Sequence, residues 1–262
     1  MDAKIVGWGH TQFGALDQSF EELIKAAAAE AIEMAGVGPA EIDALWLGHF
    51  NSGMVPDAFA SSLVLGLDER LRFTPATRVE NACASGSAAV YAARDAIRAG
   101  SARTVLVIGA EKMTSLDTKG VTAALAGASY QTEEAGASFP QIFGRIASGY
   151  FQAYGDQSET LARIAVKNHA NAQANPLAQM RRDVSFDFCN TPSDKNPLIA
   201  PPLRLTDCSL ISDGAAALVM VAGDRGGFDC AAGFRAACQV NDFLPMSRRD
   251  MTRLAGAARA FE

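Results

Sequence analysis

A layered α/β fold is predicted for this 262-residue chain by three features. The run Thr104-Val105-Leu106-Val107-Ile108-Gly109-Ala110 is apolar without alternation, the pattern of a strand covered on both faces. A capped amphipathic helix begins at Ser19. Strand-like and helix-like patterns alternate between residues 4 and 110, as α/β layering requires.

The elements follow in order. Residues 4–8 form a short apolar strand. Ser19-Phe20-Glu21-Glu22 has the Ser-x-x-Glu form of a capping box, in which Glu22 reaches back to the Ser19 N–H. Phe20, Leu23, Ile24, Ala27, Ala28, Ala31 and Ile32 then repeat at spacings of three and four, and Gly36 stops the helix. Pro39 begins a helical turn, Ala44–Gly48 reads as a buried strand, and 59–67 as a further helix. Residues 73–79 are extended. From Cys83 to Gly100 a run of small residues with Val90, Ala93 and Ile97 predicts a helix packed closely all round, at the centre of the fold.

After Glu111 the character changes. Residues 113–205 are rich in Gly, Ser, Pro and Asn and read as an inserted loop domain, with helices at 141–154 and 158–175, the second capped by Ser158. Four prolines make 190–202 extended or looped. Asp213-Gly214 reads as a turn into a core strand at 215–222. A further strand is expected over 231–241 and a helix over 247–261. That last helix has no stop signal, so the chain reads as the front part of something larger.

Composition narrows the partners. The net charge of −6 argues against nucleic acid, which demands excess Lys and Arg. No apolar run reaches the length of a membrane span, and no basic stretch precedes an apolar segment at the N-terminus. The five cysteines are odd in number and form no Cys-x-x-Cys pair, so neither a disulfide framework nor a zinc site is expected and a reducing, cytoplasmic setting fits. The three histidines lack a second ligand at metal-binding spacing, so no metal is expected. Gly-x-Gly-x-x-Gly, P-loop and Gly-x-Ser-x-Gly motifs are absent from the sequence.

Cys83 is the leading candidate for chemistry. It sits between an extended segment and a helix, over the unpaired N–H groups of the first helical turn. Those donors and the helix dipole favour an anionic sulfur, the reactive form of cysteine. The competing reading is a small buried hydrophobe. His10 and His49 follow strand ends, where loops line clefts. Glu111, at a strand end, is either part of the site or an acceptor for backbone N–H groups. His169 is a ligand-facing or a packing residue on its helix. Lys167, Arg181, Arg182 and Lys195 either meet phosphates or form a solvated face.

Val79-Glu80-Asn81-Ala82-Cys83-Ala84-Ser85-Gly86 resembles the nucleophile motif of the thiolase superfamily. Gly109-Ala110-Glu111-Lys112-Met113-Thr114-Ser115 resembles the segment after that family's next strand. Pro202-Leu203-Arg204-Leu205-Thr206-Asp207-Cys208-Ser209 with Ser212-Asp213-Gly214-Ala215-Ala216-Ala217 is similar to the strand that closes its first half. Lys167-Asn168-His169 with Asn175-Pro176 is similar to the subgroup related to the thiolase part of sterol carrier protein X and to acetyl-CoA acetyltransferases. The resemblance implies a five-layered α/β/α/β/α architecture. It would comprise a nucleophile-bearing first half (1–112), an inserted loop domain (113–205), a closing strand (206–228) and the start of a second half (229–262).

It also implies acyl transfer through a Cys83 acyl-enzyme, in Claisen condensation or thiolytic cleavage of a 3-ketoacyl-CoA. The Cys83 N–H would contribute to an oxyanion hole and Met113 would neighbour the pocket. His169, Arg181 and Arg182 would contact substrate from the loop domain. Coenzyme A or acyl-CoA would be substrate, with no tightly bound cofactor, and the assembly a homo-oligomer, dimer or tetramer. The family's second half supplies a His in Gly-His-Pro, an Asn or His, and a second Cys, motifs that do not occur here. Two alternatives stand beside this: a non-catalytic thiolase-like scaffold or lipid-carrier subunit acting with a partner chain, and a ketoacyl-synthase-like Cys condensing enzyme. The Asp-Cys-Ser and Asp-Gly-Ala-Ala-Ala segments argue against the latter.

Overall fold

Residues 2–262 are described by a computed structural model. In chain order the elements begin with β1 (Ala3–His10), α1 (Phe20–Ala35), β2 (Ala44–Gly48), β3 (Ala76–Val79), α2 (Ser85–Ala99) and β4 (Thr104–Glu111). Helices α3 (Thr118–Ala126), α4 (Gln131–Glu134), α5 (Phe139–Tyr154), α6 (Ser158–Gln173) and α7 (Phe186–Asn190) follow. The chain closes with β5 (Leu198–Ala200), β6 (Leu203–Arg204), β7 (Gly214–Ala222), β8 (Ala232–Gly233) and α8 (Ala255–Phe261). Contacts divide the chain into two units. One holds the chain up to Leu116 with Ser212–Ala236; the other holds Asp117–Ile211 with Ala237–Glu262.

The first unit is built on a sheet of order β3-β2-β4-β7-β1-β8. Strands β3, β2 and β4 run parallel, while β7 is antiparallel to both β4 and β1. Alternate residues of the buried strands supply two cores. Leu45, Leu47, Leu106, Ile108, Val219 and Val221 pack with Leu23, Ile24, Ala27 and Ala31 of α1. Val105, Val107 and Met220 pack on the other face with Ala89, Ala93 and Ile97 of α2.

The predicted helix signals are realised in α1. Ser19 accepts the Glu22 N–H, the Glu22 carboxylate accepts the Ser19 N–H at 2.7 Å, and Gly36 takes the left-handed cap at φ 65°. Gly7 and Gly9 let the helix backbone rest on β1, since a Cβ at Gly9 would meet the Ala27 carbonyl.

In the second unit Arg204 and Asp207 form an ion pair with side chains about 2% exposed. The guanidinium donates to Asp207 at 2.9 Å, to the Asn190 side chain at 3.1 Å and to the Ser158 carbonyl at 2.8 Å, joining α6, α7 and β6. Ser138 and Gln141 form the capping box of α5. Among the described residues no helix is long and apolar enough to cross a membrane.

Several expectations need correction. The 59–67 helix is a 3-10 helix over Ala60–Leu67. Ser158 is the first helical residue, not the cap; its N–H and hydroxyl both bond to Asp156, which draws the side chain away from the helix end. The strand expected over 231–241 is confined to Ala232–Gly233, paired to Lys4 and Ile5. The helix expected over 247–261 is reduced to α8 and a 3-10 turn at Met246–Arg248, because Arg249 is extended and Asp250 takes the Thr252 N–H and hydroxyl in a local turn that competes with the helix. Helix α2 buries one side only, through Ser85, Ala89, Ala93 and Ile97.

Candidate active site

The parallel strands β3, β2 and β4 bring their C-terminal ends to one sheet edge, the place where open α/β sheets bind ligands. Cys83 lies there, exposed, in the turn from β3 to α2. The turn is fixed by its own backbone: the Ala84 N–H donates to the Asn81 carbonyl at 2.9 Å and the Ser85 N–H to the Ala82 carbonyl at 3.1 Å. The Ser85 hydroxyl donates to the Ala82 carbonyl at 2.7 Å and accepts the Asn81 N–H at 2.9 Å. Ala82 is held at φ 47°, a left-handed conformation costly for an L residue and of the kind that clusters at functional sites. Ala84 occupies the cap of α2 without a capping side-chain bond, so no side chain there competes for the first-turn N–H groups.

Gly48 admits this turn to the sheet. A Cβ at Gly48 would lie 2.5 Å from the Ser85 carbonyl oxygen and 2.7 Å from the Gly86 Cα. At Gly109 the corresponding Cβ would make an ordinary 3.7 Å contact with the Gly86 Cα.

Beside the turn lies the loop after β2. His49 is fully buried, its Nδ1 3.0 Å from the Ala110 carbonyl and 3.3 Å from a Glu111 carboxylate oxygen, its ring tilted against Phe20 with centroids 4.3 Å apart. Glu111 accepts the N–H groups of Phe50 and Asn51. Of the two readings of Glu111 from sequence, the backbone acceptor is thus the one realised. Arg78, which sequence reasoning passed over, donates to the His49 carbonyl at 3.0 Å and the Phe50 carbonyl at 3.1 Å. His10 bonds the Thr11 carbonyl through its own Nδ1 and meets the Phe13 ring at a tilt, centroids 4.7 Å apart.

Met113 is half-buried in the segment after β4. Its N–H donates to Asp213 at 2.7 Å, and that carboxylate organises the whole segment. Asp213 is fully buried and also accepts from Lys112 Nζ at 2.7 Å, the Thr114 N–H at 2.8 Å, the Thr114 hydroxyl and the Leu16 N–H. Burial pushes the Asp213 carboxyl up, but the bonds from Lys112, Thr114 and Leu16 outweigh burial and hold it below the ordinary aspartate value. From sequence Asp213 reads only as a turn former. Its signal would have been an acid with no charge partner nearby, directly ahead of a core strand.

His169, Arg181 and Arg182 belong to the second unit. His169 is half-buried on α6, with Nδ1 shielded from solvent. Arg181 and Arg182 are exposed between α6 and α7, and Arg181 donates to the Gln173 carbonyl at 3.1 Å. Cys189 contrasts with Cys83: it is buried, and burial pushes its thiol up, away from the reactive form.

The family described as thiolase, N-terminal domain, matches residues 3–190. The chain is 37% identical to an acetyl-CoA acetyltransferase of Methanothermobacter thermautotrophicus, over 99% of this chain and 68% of the relative. It is 28% identical to sterol carrier protein 2 of Bos taurus, over 82% of this chain and 40% of that one. Among solved structures, the Ltp2-ChsH2(DUF35) aldolase superposes with a TM-score of 0.69 at 26% identity, covering 85% of this chain and 56% of that one. Human mitochondrial 3-ketoacyl-CoA thiolase in complex with CoA superposes at 0.68 and 18% identity, covering 85% and 65%, and so bears on the fold. The chain spans about two thirds of the acetyltransferase and just over half of the aldolase chain. The layered α/β sheet, the Cys83 turn at its edge and these matches agree: the chain belongs to the thiolase family.

Proposed function

We propose that this chain carries the nucleophile of an acyl-CoA acyltransferase. The observation that carries the reading is Cys83, exposed on a locked turn at the C-terminal ends of the parallel strands β3, β2 and β4 and at the start of α2. The Cys83 sulfur attacks the thioester carbonyl carbon. A new S–C bond forms, the bond to the CoA sulfur breaks, and the departing thiolate takes up a proton. The oxyanion of the tetrahedral intermediate is met by backbone N–H donors at the turn, including that of Cys83. A second acyl-CoA then gives up a proton from its α-carbon to a base; that carbon attacks the Cys83 thioester, a C–C bond forms, the Cys83 S–C bond breaks and the sulfur leaves as thiolate, and thiolysis is the same sequence in reverse. Met113 borders the pocket. His169, Arg181 and Arg182 are assigned to substrate contact, the arginines on phosphates. Acyl-CoA is substrate rather than resident cofactor, and a homo-oligomer in a reducing cytoplasmic setting completes the reading.

The test is intact-mass spectrometry of the protein before and after acetyl-CoA, with Cys83→Ala beside it. One acyl group gained only when Cys83 is present supports the reading; no gain in the parent sinks it. A second reading, a thiolase-like subunit acting with a partner chain, is favoured by the likeness to the Ltp2-ChsH2(DUF35) aldolase. It predicts acylation only when a partner is supplied.

A further inference from the structure

The loop of residues 49–58 is held far more firmly than its ten residues require. It leaves the sheet next to the Cys83 turn. The Gly48–Val79 pair is the last of the β2–β3 ladder, the His49 N–H donates to the Val79 carbonyl at 3.2 Å, and Gly48 touches the Ser85–Gly86 backbone. Three successive residues then take left-handed backbone: Asn51 at φ 61°, Ser52 at φ 46° and Gly53 at φ 87°. Two of these are not glycine, and such strain persists only where the surroundings over-determine the conformation.

They do so here. The Glu111 carboxylate holds the Phe50 and Asn51 N–H groups from one side, and the Arg78 guanidinium holds the His49 and Phe50 carbonyls from the other. Within the loop, the Asn51 side chain accepts the Val55 N–H at 2.8 Å, and the Ser115 hydroxyl donates to the Met54 carbonyl at 2.7 Å. Met54 and Val55 are buried as anchors, while Ser52, Gly53 and Pro56 stay exposed.

We propose that loop 49–58 is the wall that selects the acyl group delivered to Cys83, with Glu111 and Arg78 as its positioning residues. The proposal rests on the acyl-transfer reading above. A rigid wall discriminates by size, because a methylene that fits or clashes changes rates by roughly 10–200-fold. A loosened wall adapts and loses that discrimination.

The experiment measures rates of Cys83 acylation by acetyl-CoA and octanoyl-CoA, read by intact mass, in the parent, Glu111→Ala, Glu111→Gln and Arg78→Lys. Alkylation of Cys83 by iodoacetamide is followed in parallel. The parent is expected to favour one acyl group by about tenfold or more. Glu111→Ala and Arg78→Lys are expected to move that ratio towards one while alkylation stays unchanged. Glu111→Gln, which keeps an acceptor oxygen, should retain most of the preference. A general loss of structure would instead slow both acyl donors together. Should the clamp variants fail to fold, Ser115→Ala serves: it removes only the hydroxyl that holds the Met54 carbonyl, leaves both clamps in place and should shift the ratio in the same direction. A parent that is acylated without preference, or a ratio unmoved in folded variants, overturns the proposal alone. A parent acylated by neither donor overturns the acyl-transfer reading and this proposal with it.

Discussion

Gly48→Ala tests the placement of Cys83 directly. The added Cβ would stand 2.5 Å from the Ser85 carbonyl oxygen, 2.6 Å from its carbon and 2.7 Å from the Gly86 Cα. All three atoms are backbone, so no side chain can swing aside. Restoring ordinary contact demands that the start of α2 retreat by about 1 Å, and Cys83 moves with it. A misplacement of about 1 Å costs on the order of 100-fold in rate. Overpacking of this kind also destabilises by about 1–3 kcal/mol, or about 2–12 °C in Tm for a chain of this size. The assay is the rate of Cys83 acylation by acetyl-CoA with a thermal melt on the same samples. Gly109→Ala is the control, since its Cβ meets only the Gly86 Cα at an unstrained 3.7 Å. If Gly48→Ala were acylated within about threefold of the parent rate and melted with it, the argument that this contact fixes the nucleophile would be refuted.

Asp213→Asn removes the buried charge that pairs with Lys112 and should destabilise by about 3–5 kcal/mol in urea unfolding at neutral pH; a loss under about 1 kcal/mol would contradict the network. Because the folded carboxyl lies below its unfolded value of 3.8, its contribution is present above that value and is lost as pH falls through the lower, folded one. The stability gap between parent and variant should therefore be level from pH 7 to about pH 4 and narrow below it; a gap that widens on acidification reverses the sign of the argument. Arg204→Ala strands Asp207 in the second unit and should cost about 3–5 kcal/mol, read by urea denaturation; an unchanged midpoint would show that the pair is dispensable.

The fold was legible in the sequence wherever local chemistry decides conformation. Ser19, Glu22 and Gly36 bound α1 because capping bonds involve residues only a few positions apart. The unbroken apolar run of β4 could be satisfied only by cover on two faces. Where a distant group intervenes, the sequence is mute. Nothing near Ser247 announces that Glu133, more than 100 positions earlier, will take its N–H and hydroxyl. At the site, Cys83 stood out by position and motif. The groups that hold its surroundings did not, because Arg78 and Glu111 act on loop 49–58 and Asp213 acts on residues about 100 positions away.

The position of β1 sets a timetable for synthesis. This first strand pairs with β7, so Ala3 meets Ala222 and Gly9 meets Ala217, partners translated about 200 residues later. At about 5–20 residues per second, β1 emerges roughly 10–40 s before its neighbour exists. Through that interval α1 carries an apolar stripe with half of its platform missing, and the inserted segment must be made before the sheet can close. Such a nascent chain depends on shelter from aggregation until its last core strand arrives. A circular permutant that begins just before β7 would make that strand first and shorten the wait.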